Sequence, residues 1–199
     1  MNAKTSHIVF VLGAFLAGLA LFLGAIFLVT GLSPAPNGAG TASIGGPFHL
    51  VDENGKPFSD QDMKGKPYLV FFGYTHCPDT CPTTLSDMSQ LFRKLGPDAS
   101  RAGALFITVD PERDTTAVLK DYMASFDPHL RGLTGDRKAI DQAIKDYRVY
   151  AKKVPLEGGD YAMDHTAIVY LMDKDGHFVA PFNMQRTADA EAAELRRYL

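Results

Sequence analysis

Charge is nearly absent from the beginning of this 199-residue chain. Of its 20 lysines and arginines and 23 aspartates and glutamates, only Lys4 precedes Asp52. The rest of the chain carries both signs interspersed and has no basic run. A nucleic-acid partner is therefore disfavoured, because phosphate binding requires a concentrated positive surface. About 150 residues are enough for one domain with its own core, so two soluble domains are not expected.

The uncharged beginning contains a long apolar run at residues 8–30. At about 1.5 Å per residue, this run forms a helix of roughly 34 Å, enough to cross a hydrocarbon core of about 30 Å. The apolar region of a cleaved signal peptide is shorter, about 7 to 15 residues. Small residues such as Ser33 and Ala35 nevertheless leave cleavage open. The run predicts a single transmembrane helix.

The positive charges lie on one side of the predicted transmembrane helix. The amino terminus and Lys4 precede it, and the next positive side chain is Lys56. This asymmetry places residues 1–7 in the cytoplasm and the later domain outside it. No Arg-rich transit peptide precedes the run, which favours a bacterial inner membrane with a periplasmic domain. Residues 31–47 are rich in Pro, Gly, Ala and Ser and predict a flexible tether.

Residues 48–199 alternate between strand and helix patterns. Predicted strands cover residues 48–51, 68–73, 104–109, 166–172 and 176–182, with the last two joined as a hairpin. Helical spacing covers residues 82–95, a segment from Asp114 or Thr115 to Phe126, residues 136–147 and residues 187–198. Strands that alternate with helices and end in an antiparallel pair and a helix predict an α/β sandwich of thioredoxin type.

The chain has only two cysteines, Cys77 and Cys81, separated by three residues. They fall between a buried strand and a helix, where α/β folds place their sites. Each precedes a proline, which disfavours helical backbone. We therefore expect Cys77 on the loop, Cys81 as the helix N-cap and Pro82 as the first helical residue. The positive end of the helix dipole would then favour the thiolate form of both cysteines.

Three roles are open for this cysteine pair. A structural disulfide would close a small loop and remove little chain entropy. A redox pair is possible, although the common redox spacing has two intervening residues. A metal site needs another ligand, for which His165 is the candidate, because in a thioredoxin-like sheet the loop that contains it faces the cysteine loop. The sequence pattern is equally compatible with a core histidine, and Asp164 could orient its ring or act through the local electrostatic field.

Two thiolates and one imidazole would form a soft, three-coordinate site. Such a donor set suits Cu(I), with Cu(II) as the alternative, better than Mg²⁺ or Ca²⁺. It is too sparse for a closed structural zinc site. An open position leaves room for an incoming donor, which is what a protein that must release its metal requires.

Three segments resemble the Sco/SenC family of copper-binding cytochrome oxidase assembly proteins. They are GYTHCPDTCPTTL at residues 73–85, VDPERDT at 109–115 and DHTAIVYLMDKDG at 164–176. The resemblance implies a thioredoxin-like domain on one membrane anchor, with copper held by Cys77, Cys81 and His165. It also implies delivery of copper to the binuclear copper centre of cytochrome c oxidase subunit II.

Two principal functions therefore stand as hypotheses. A copper chaperone would need reduced cysteines, so a periplasmic thiol reductase, together with a copper donor, is an expected partner. A thiol-disulfide oxidoreductase would instead use Cys77 and Cys81 as a redox-active pair. A cysteine hydrolase that uses Cys77, His165 and Asp164 would leave Cys81 without a role. The charged residues Asp110, Glu112, Arg113 and Asp114 fit either a partner-docking edge or a solvated loop with a helix cap.

Overall fold

The computed structural model describes residues 12–25 and 44–199. The chain separates into two compact units, with the boundary between Ala42 and Ser43. Residues 12–25 form a helix, α1, whose side chains are exposed. Among the described residues, no helix is both long and apolar enough to cross a bilayer. The predicted cytoplasmic segment, the two ends of the predicted transmembrane helix and residues 31–43 of the predicted tether lie outside the described residues.

The second unit is built on a seven-stranded mixed sheet and a separate two-stranded hairpin. In chain order the strands are β1 (His49–Asp52), β2 (Pro57–Ser59), β3 (Tyr68–Gly73), β4 (Gly103–Thr108), β5 (Leu130–Thr134), β6 (Ala151–Pro155), β7 (Tyr161–His165), β8 (Val169–Met172) and β9 (Phe178–Phe182). The large sheet has the order β2-β1-β5-β4-β3-β8-β9, and β6 pairs only with β7.

Four helices pack around this sheet: α2 (Thr80–Leu95), α3 (Thr116–Met123), α4 (Arg137–Asp146) and α5 (Ala188–Leu195). Three of them begin at a side chain that accepts a hydrogen bond from the first turn, as N-caps do. These caps are Thr115, Asp136 and Thr187. Short 3₁₀ turns cover Asp60–Met63, Gly96–Arg101 and Arg196–Tyr198.

The centre of the sheet positions the cysteine loop. Every residue of β3 and β4 is buried, and the two strands run parallel, with Gly73 opposite Thr108. The loops that follow them therefore leave the same edge of the sheet. On its other side β3 pairs antiparallel with β8, with Phe71 opposite Val169. The residues that precede β8 consequently lie at that same edge.

The thioredoxin-like α/β fold predicted from the sequence is confirmed. The hairpin predicted at the end of the chain is β8 and β9, which pair antiparallel. The strands not predicted are β2, β5 and the two strands of the β6–β7 hairpin. His165 was expected where a buried strand begins, but it is the last residue of β7, and the buried strand β8 begins at Val169.

The predicted start of the cysteine-proximal helix was wrong by two residues. Helix α2 begins at Thr80 with Asp79 as its N-cap, so Cys81 is already helical. Pro82 falls in the first helical turn, where the missing proline N–H would have had no partner within the helix. The preference of a residue before proline for extended backbone is therefore overridden at Cys81.

Candidate metal centre

The two cysteines differ in exposure because they lie on different elements. Cys77 is half-buried on the loop between β3 and α2, whereas Cys81 is fully buried in the first turn of α2. The backbone N–H of Cys81 points at Cys77 Sγ, with an N to S distance of 3.4 Å. The start of the helix thus holds the loop cysteine against the helical one.

His165 faces the cysteines from the end of β7. Its Nε2 atom lies 3.6 Å from Cys81 Sγ, and its Nδ1 atom lies 3.1 Å from the carbonyl oxygen of Thr166. A carbonyl oxygen only accepts, so Nδ1 carries the proton and the Nε2 lone pair is directed toward the sulfurs. Donor atoms of Cys77, Cys81 and His165 all lie within 4.8 Å of one another. The three predicted ligands are therefore adjacent in the structure.

The ring of His165 is oriented by other neighbours, and of the two roles considered for Asp164 the structure supports the effect through the electrostatic field. Asp164 is exposed, and it acts on the ring only through its charge. The ring packs edge-on against Tyr74 at 5.8 Å between centroids and against Phe71 at 6.4 Å. Burial lowers the pKa of His165, although the Thr166 carbonyl and the Asp164 charge oppose this shift. The imidazole is consequently neutral, as metal binding requires.

The expected thiolate form is contradicted at Cys81. Burial raises the pKa of the Cys81 thiol well above its ordinary value, and the neighbouring Cys77 and Asp114 add to the increase. A helix terminus is worth about 0.3 to 1 kcal/mol at an exposed site, which is less than the cost of burying a charge. Cys81 is thus a neutral thiol in the metal-free protein.

The remaining described histidines are not grouped with these three donors. His129 contacts Asp127 through Nδ1 at 2.7 Å and stacks on Phe92. His76 is exposed beside Thr75, and His49 is exposed on β1. His177 lies in the turn before β9 with Asp173 and Asp175, within 4.8 Å of both. Asp173 there accepts backbone hydrogen bonds that form the turn.

Residues 36–199 match the family model described as SCO1/SenC. The chain belongs to this family. The match confirms the resemblance seen in the three sequence segments.

Members of the SCO1/SenC family with known names and structures are similar to most of this chain. The mitochondrial SCO2 homologue of Mus musculus is 40% identical over 162 residues, which cover 79% of this chain and 64% of that protein. ScoI of Bradyrhizobium japonicum, solved with copper bound, superposes with a TM-score of 0.77 and is 60% identical, covering 79% of this chain and all of that one. Yeast Sco1, also solved with copper bound, superposes with a TM-score of 0.71 and is 37% identical. The match covers 78% of this chain and 88% of that one.

The chain spans about half to two thirds of the length of the curated relatives it matches. Those relatives are described as mitochondrial proteins.

The spacing of the donors in this SCO1/SenC domain fits a soft metal ion. With bonds of about 2.3 Å to sulfur and about 2.0 Å to nitrogen, trigonal ligands lie roughly 3.7 Å apart. The separation of Cys81 Sγ and His165 Nε2 is 3.6 Å. Thiolate and imidazole donors select Cu(I) over hard cations. Little movement is therefore needed for Cys81 and His165 to bind one ion, and the sulfur of Cys77 lies within 4.8 Å of both donor atoms.

Proposed function

We propose that this chain is a copper chaperone that holds copper on Cys77, Cys81 and His165. The observation that carries the proposal is the approach of one histidine to two reduced cysteines within 4.8 Å. Family relatives solved with copper bound support it. The recipient we propose is the binuclear copper centre of cytochrome c oxidase subunit II, the assembly role that the family implies.

Transfer proceeds by ligand exchange in this proposal. A thiolate or imidazole of the recipient enters the open position of the three-coordinate site, and one ligand of the chaperone departs. Cys77 and His165 are only half-buried, whereas Cys81 is fully buried. The incoming donor therefore approaches from the side of Cys77 and His165, and Cys81 releases the ion last. Copper passes between proteins without being free in solution.

The proposed location is the outer face of a bacterial inner membrane. Residues 8–30 would anchor the chain, residues 1–7 would lie in the cytoplasm, and residues 48–199 would form the periplasmic copper-binding domain. The charge distribution of the sequence supports this orientation. Because the periplasm is oxidising, a thiol reductase is needed to keep both cysteines reduced, and a copper donor to load the site.

A second candidate function is reduction of the cysteines of the oxidase copper site. The proximity of the two free cysteines favours it, because their sulfur atoms lie within 4.8 Å of each other. The Cys77 thiolate would attack the client disulfide, and Cys81 would then displace the client as a dithiol. Two electrons would pass to the client, and a Cys77–Cys81 disulfide would form. One feature argues against this function. A thioredoxin normally has a proline just before the strand that faces its cysteines, and in this chain His165 and Thr166 occupy that position.

Anaerobic Cu(I) titration of the reduced full chain in detergent micelles tests the proposal. We expect one tightly bound copper per chain, lost in Cys77→Ser and Cys81→Ser. In His165→Ala we expect affinity to fall by about 100-fold or more, equivalent to roughly 2.7 kcal/mol. His177→Ala is the matched control, because His177 is exposed in a turn away from the site. Unchanged affinity in His165→Ala, with fast dithiol exchange, would favour the reductase instead.

A further inference from the structure

The loop of residues 110–114 contacts both sides of the candidate metal centre. It follows β4 and contains two fully buried carboxylates, Asp110 and Asp114. Neither belongs to the proposed ligand set. Buried charges are expensive unless they are paired or hydrogen-bonded, so the partners of these two groups indicate what the loop does. Their burial contradicts the solvated loop considered from the sequence for these two carboxylates, whereas Glu112 is exposed.

Asp114 binds the cysteine loop. One carboxylate oxygen accepts the backbone N–H of Thr75 at 3.1 Å, and the other accepts the Thr75 hydroxyl at 2.6 Å. The Thr108 hydroxyl donates to the same carboxylate at 2.6 Å. Thr75 precedes Cys77 by two residues, so these bonds fix the approach of the cysteine loop to the end of β4.

Asp110 and Arg113 bind the hairpin that carries His165. Asp110 accepts the Tyr161 hydroxyl at 2.9 Å and Arg113 Nε at 2.5 Å. Arg113 Nη1 donates to the Tyr161 carbonyl at 2.9 Å and to Asp160 at 3.1 Å. The guanidinium also lies 3.7 Å from the centroid of the Tyr161 ring. Tyr161 begins β7, the strand that ends at His165.

The contacts of Asp110 and Arg113 with Tyr161 help to attach the β6–β7 hairpin to the rest of the domain. Within residues 44–199, β6 and β7 share no backbone ladder with the seven-stranded sheet. The cysteines, in contrast, follow directly from β3 of that sheet. The short connection from His165 to β8 brings the end of β7 to the same edge of the sheet as the cysteines. Side-chain contacts then hold the rest of the hairpin against that edge, and among the described residues the charged ones come from the loop of residues 110–114.

We propose that Asp110, Arg113 and Asp114 form a clamp that holds the cysteine loop and the His165 hairpin at the spacing that copper requires. The inference rests on the proposed function, since it concerns the same three ligands. None of the three residues belongs to the proposed ligand set, so they are positioning residues. Without the Arg113 contacts, the hairpin moves away and the imidazole no longer completes the site.

Arg113→Ala and Tyr161→Phe test the hairpin side of the clamp in the full chain in detergent micelles. Tyr161→Phe removes only the hydroxyl donated to Asp110, and it serves if Arg113→Ala does not fold. Arg131→Ala is the matched control, because Arg131 pairs with Asp52 and Glu53 at a different part of the sheet. Cu(I) affinity is measured by competition with a chromophoric chelator, and backbone hydrogen exchange is measured without metal.

We expect Arg113→Ala to weaken Cu(I) binding by about 10- to 100-fold, as is typical for residues that orient metal ligands. Tyr161→Phe should give a smaller loss in the same direction. In the metal-free protein, the amides of Tyr161–His165 should exchange faster in both variants than in the parent chain. Arg131→Ala should lower thermal stability and leave Cu(I) affinity within about twofold, because the two sites are independent.

A His165→Ala background separates positioning from general destabilisation. In a chain that already carries His165→Ala, adding Arg113→Ala should cause no further loss of Cu(I) affinity, because the imidazole that the clamp positions is absent. Equal losses in the two backgrounds, or unchanged affinity and exchange in Arg113→Ala, would overturn the clamp. If His165→Ala alone leaves affinity unchanged, the proposed function fails, and the metal-free exchange measurement still decides whether Arg113 holds the hairpin.

Discussion

His165 Nε2 lies 3.6 Å from Cys81 Sγ, although 84 positions separate the two residues in the sequence. One ligand is carried by the first turn of α2 and the other by the end of β7. Elements that are distant in sequence thus bring a nitrogen to a sulfur at nearly the spacing of two ligands on one ion. A site prepared in this way binds metal without a large ordering cost.

The two cysteines should react at different rates with an alkylating reagent. Cys81 is fully buried and burial raises the pKa of its thiol, whereas Cys77 is half-buried. Since the thiolate is the nucleophile, we expect Cys77 of the reduced, metal-free chain to be alkylated at least about tenfold faster. Peptide mapping by mass spectrometry gives both rates. In guanidinium chloride the rates should converge, and equal rates in the folded chain would contradict the burial of Cys81.

Copper affinity should rise with pH. The raised pKa of Cys81 means that its thiol is protonated near neutrality and must release a proton when Cu(I) binds. The lowered pKa of His165 leaves the imidazole neutral in this range, so it adds no pH dependence.

One released proton makes affinity about tenfold tighter per pH unit. We therefore expect at least this gain between pH 7 and 8 in chelator competition, with the chelator calibrated at each pH. An affinity independent of pH would show that Cys81 is already ionised.

Gly73→Ala should damage the copper site as well as the fold. A Cβ at Gly73 would lie 2.7 Å from Cys81 Sγ and 2.6 Å from a ring carbon of Phe106, so Cys81 must move. Gly132→Ala is the control, because its Cβ would crowd Met123 and Leu119 instead. Overpacking costs about 1 to 3 kcal/mol in either variant, measured by denaturant unfolding.

Only Gly73→Ala should also weaken Cu(I) binding, by about tenfold or more, as misplaced ligands do. Equal affinities in the two glycine variants would disprove close packing of Gly73 on Cys81.

Glu191→Gln should stabilise the protein at neutral pH. Glu191 is almost fully buried in α5, and its Oε1 atom has no hydrogen-bond partner among the described residues. Burial raises the pKa of this carboxyl, so the folded chain binds its proton more tightly than the unfolded chain does. The protonated carboxyl therefore contributes its whole stabilising effect at pH values below its pKa in the unfolded chain. This contribution is lost as the pH rises through the higher pKa of the folded chain.

We therefore expect the difference in melting temperature between Glu191→Gln and the parent chain to grow in favour of the variant as the pH is raised from about 4.5 to 7.5. A gain of roughly 1 kcal/mol at the upper end corresponds to about 2 to 4 °C. Glu194→Gln, which removes the partner of Arg186, should bring no such gain. A difference that does not change with pH would mean that Glu191 titrates normally.

The sequence was sufficient for the elements whose local pattern is strong. Strand β3 is a continuous apolar run, and the caps Thr115, Asp136 and Thr187 precede periodic helices. The hairpin of β6 and β7 was missed because nearly all of β6 is exposed and contains two lysines and a proline. Strand β5 was missed because its five residues include an arginine and a glycine. Both elements owe their form to partners that are not local in the sequence.

The candidate ligands could be named from the sequence, but their environment could not. The burial of Cys81 and the resulting rise in its pKa depend on β3, the end of β7 and α2 meeting in space. Asp110 and Asp114 look like solvated charges in the sequence, since their partners Thr75, Thr108 and Tyr161 come from three other segments. The sequence left open whether Asp164 orients the ring of His165 or acts on it through the electrostatic field; the Thr166 carbonyl orients the ring, and Asp164 acts through its charge.

X-ray absorption spectroscopy of the Cu(I)-loaded full chain tests the central claim most directly. The account predicts a three-coordinate ion with two sulfur ligands at about 2.3 Å and one nitrogen ligand at about 2.0 Å, which becomes a two-sulfur site in His165→Ala. A spectrum with sulfur ligands alone in the parent chain, unchanged in His165→Ala, would contradict it.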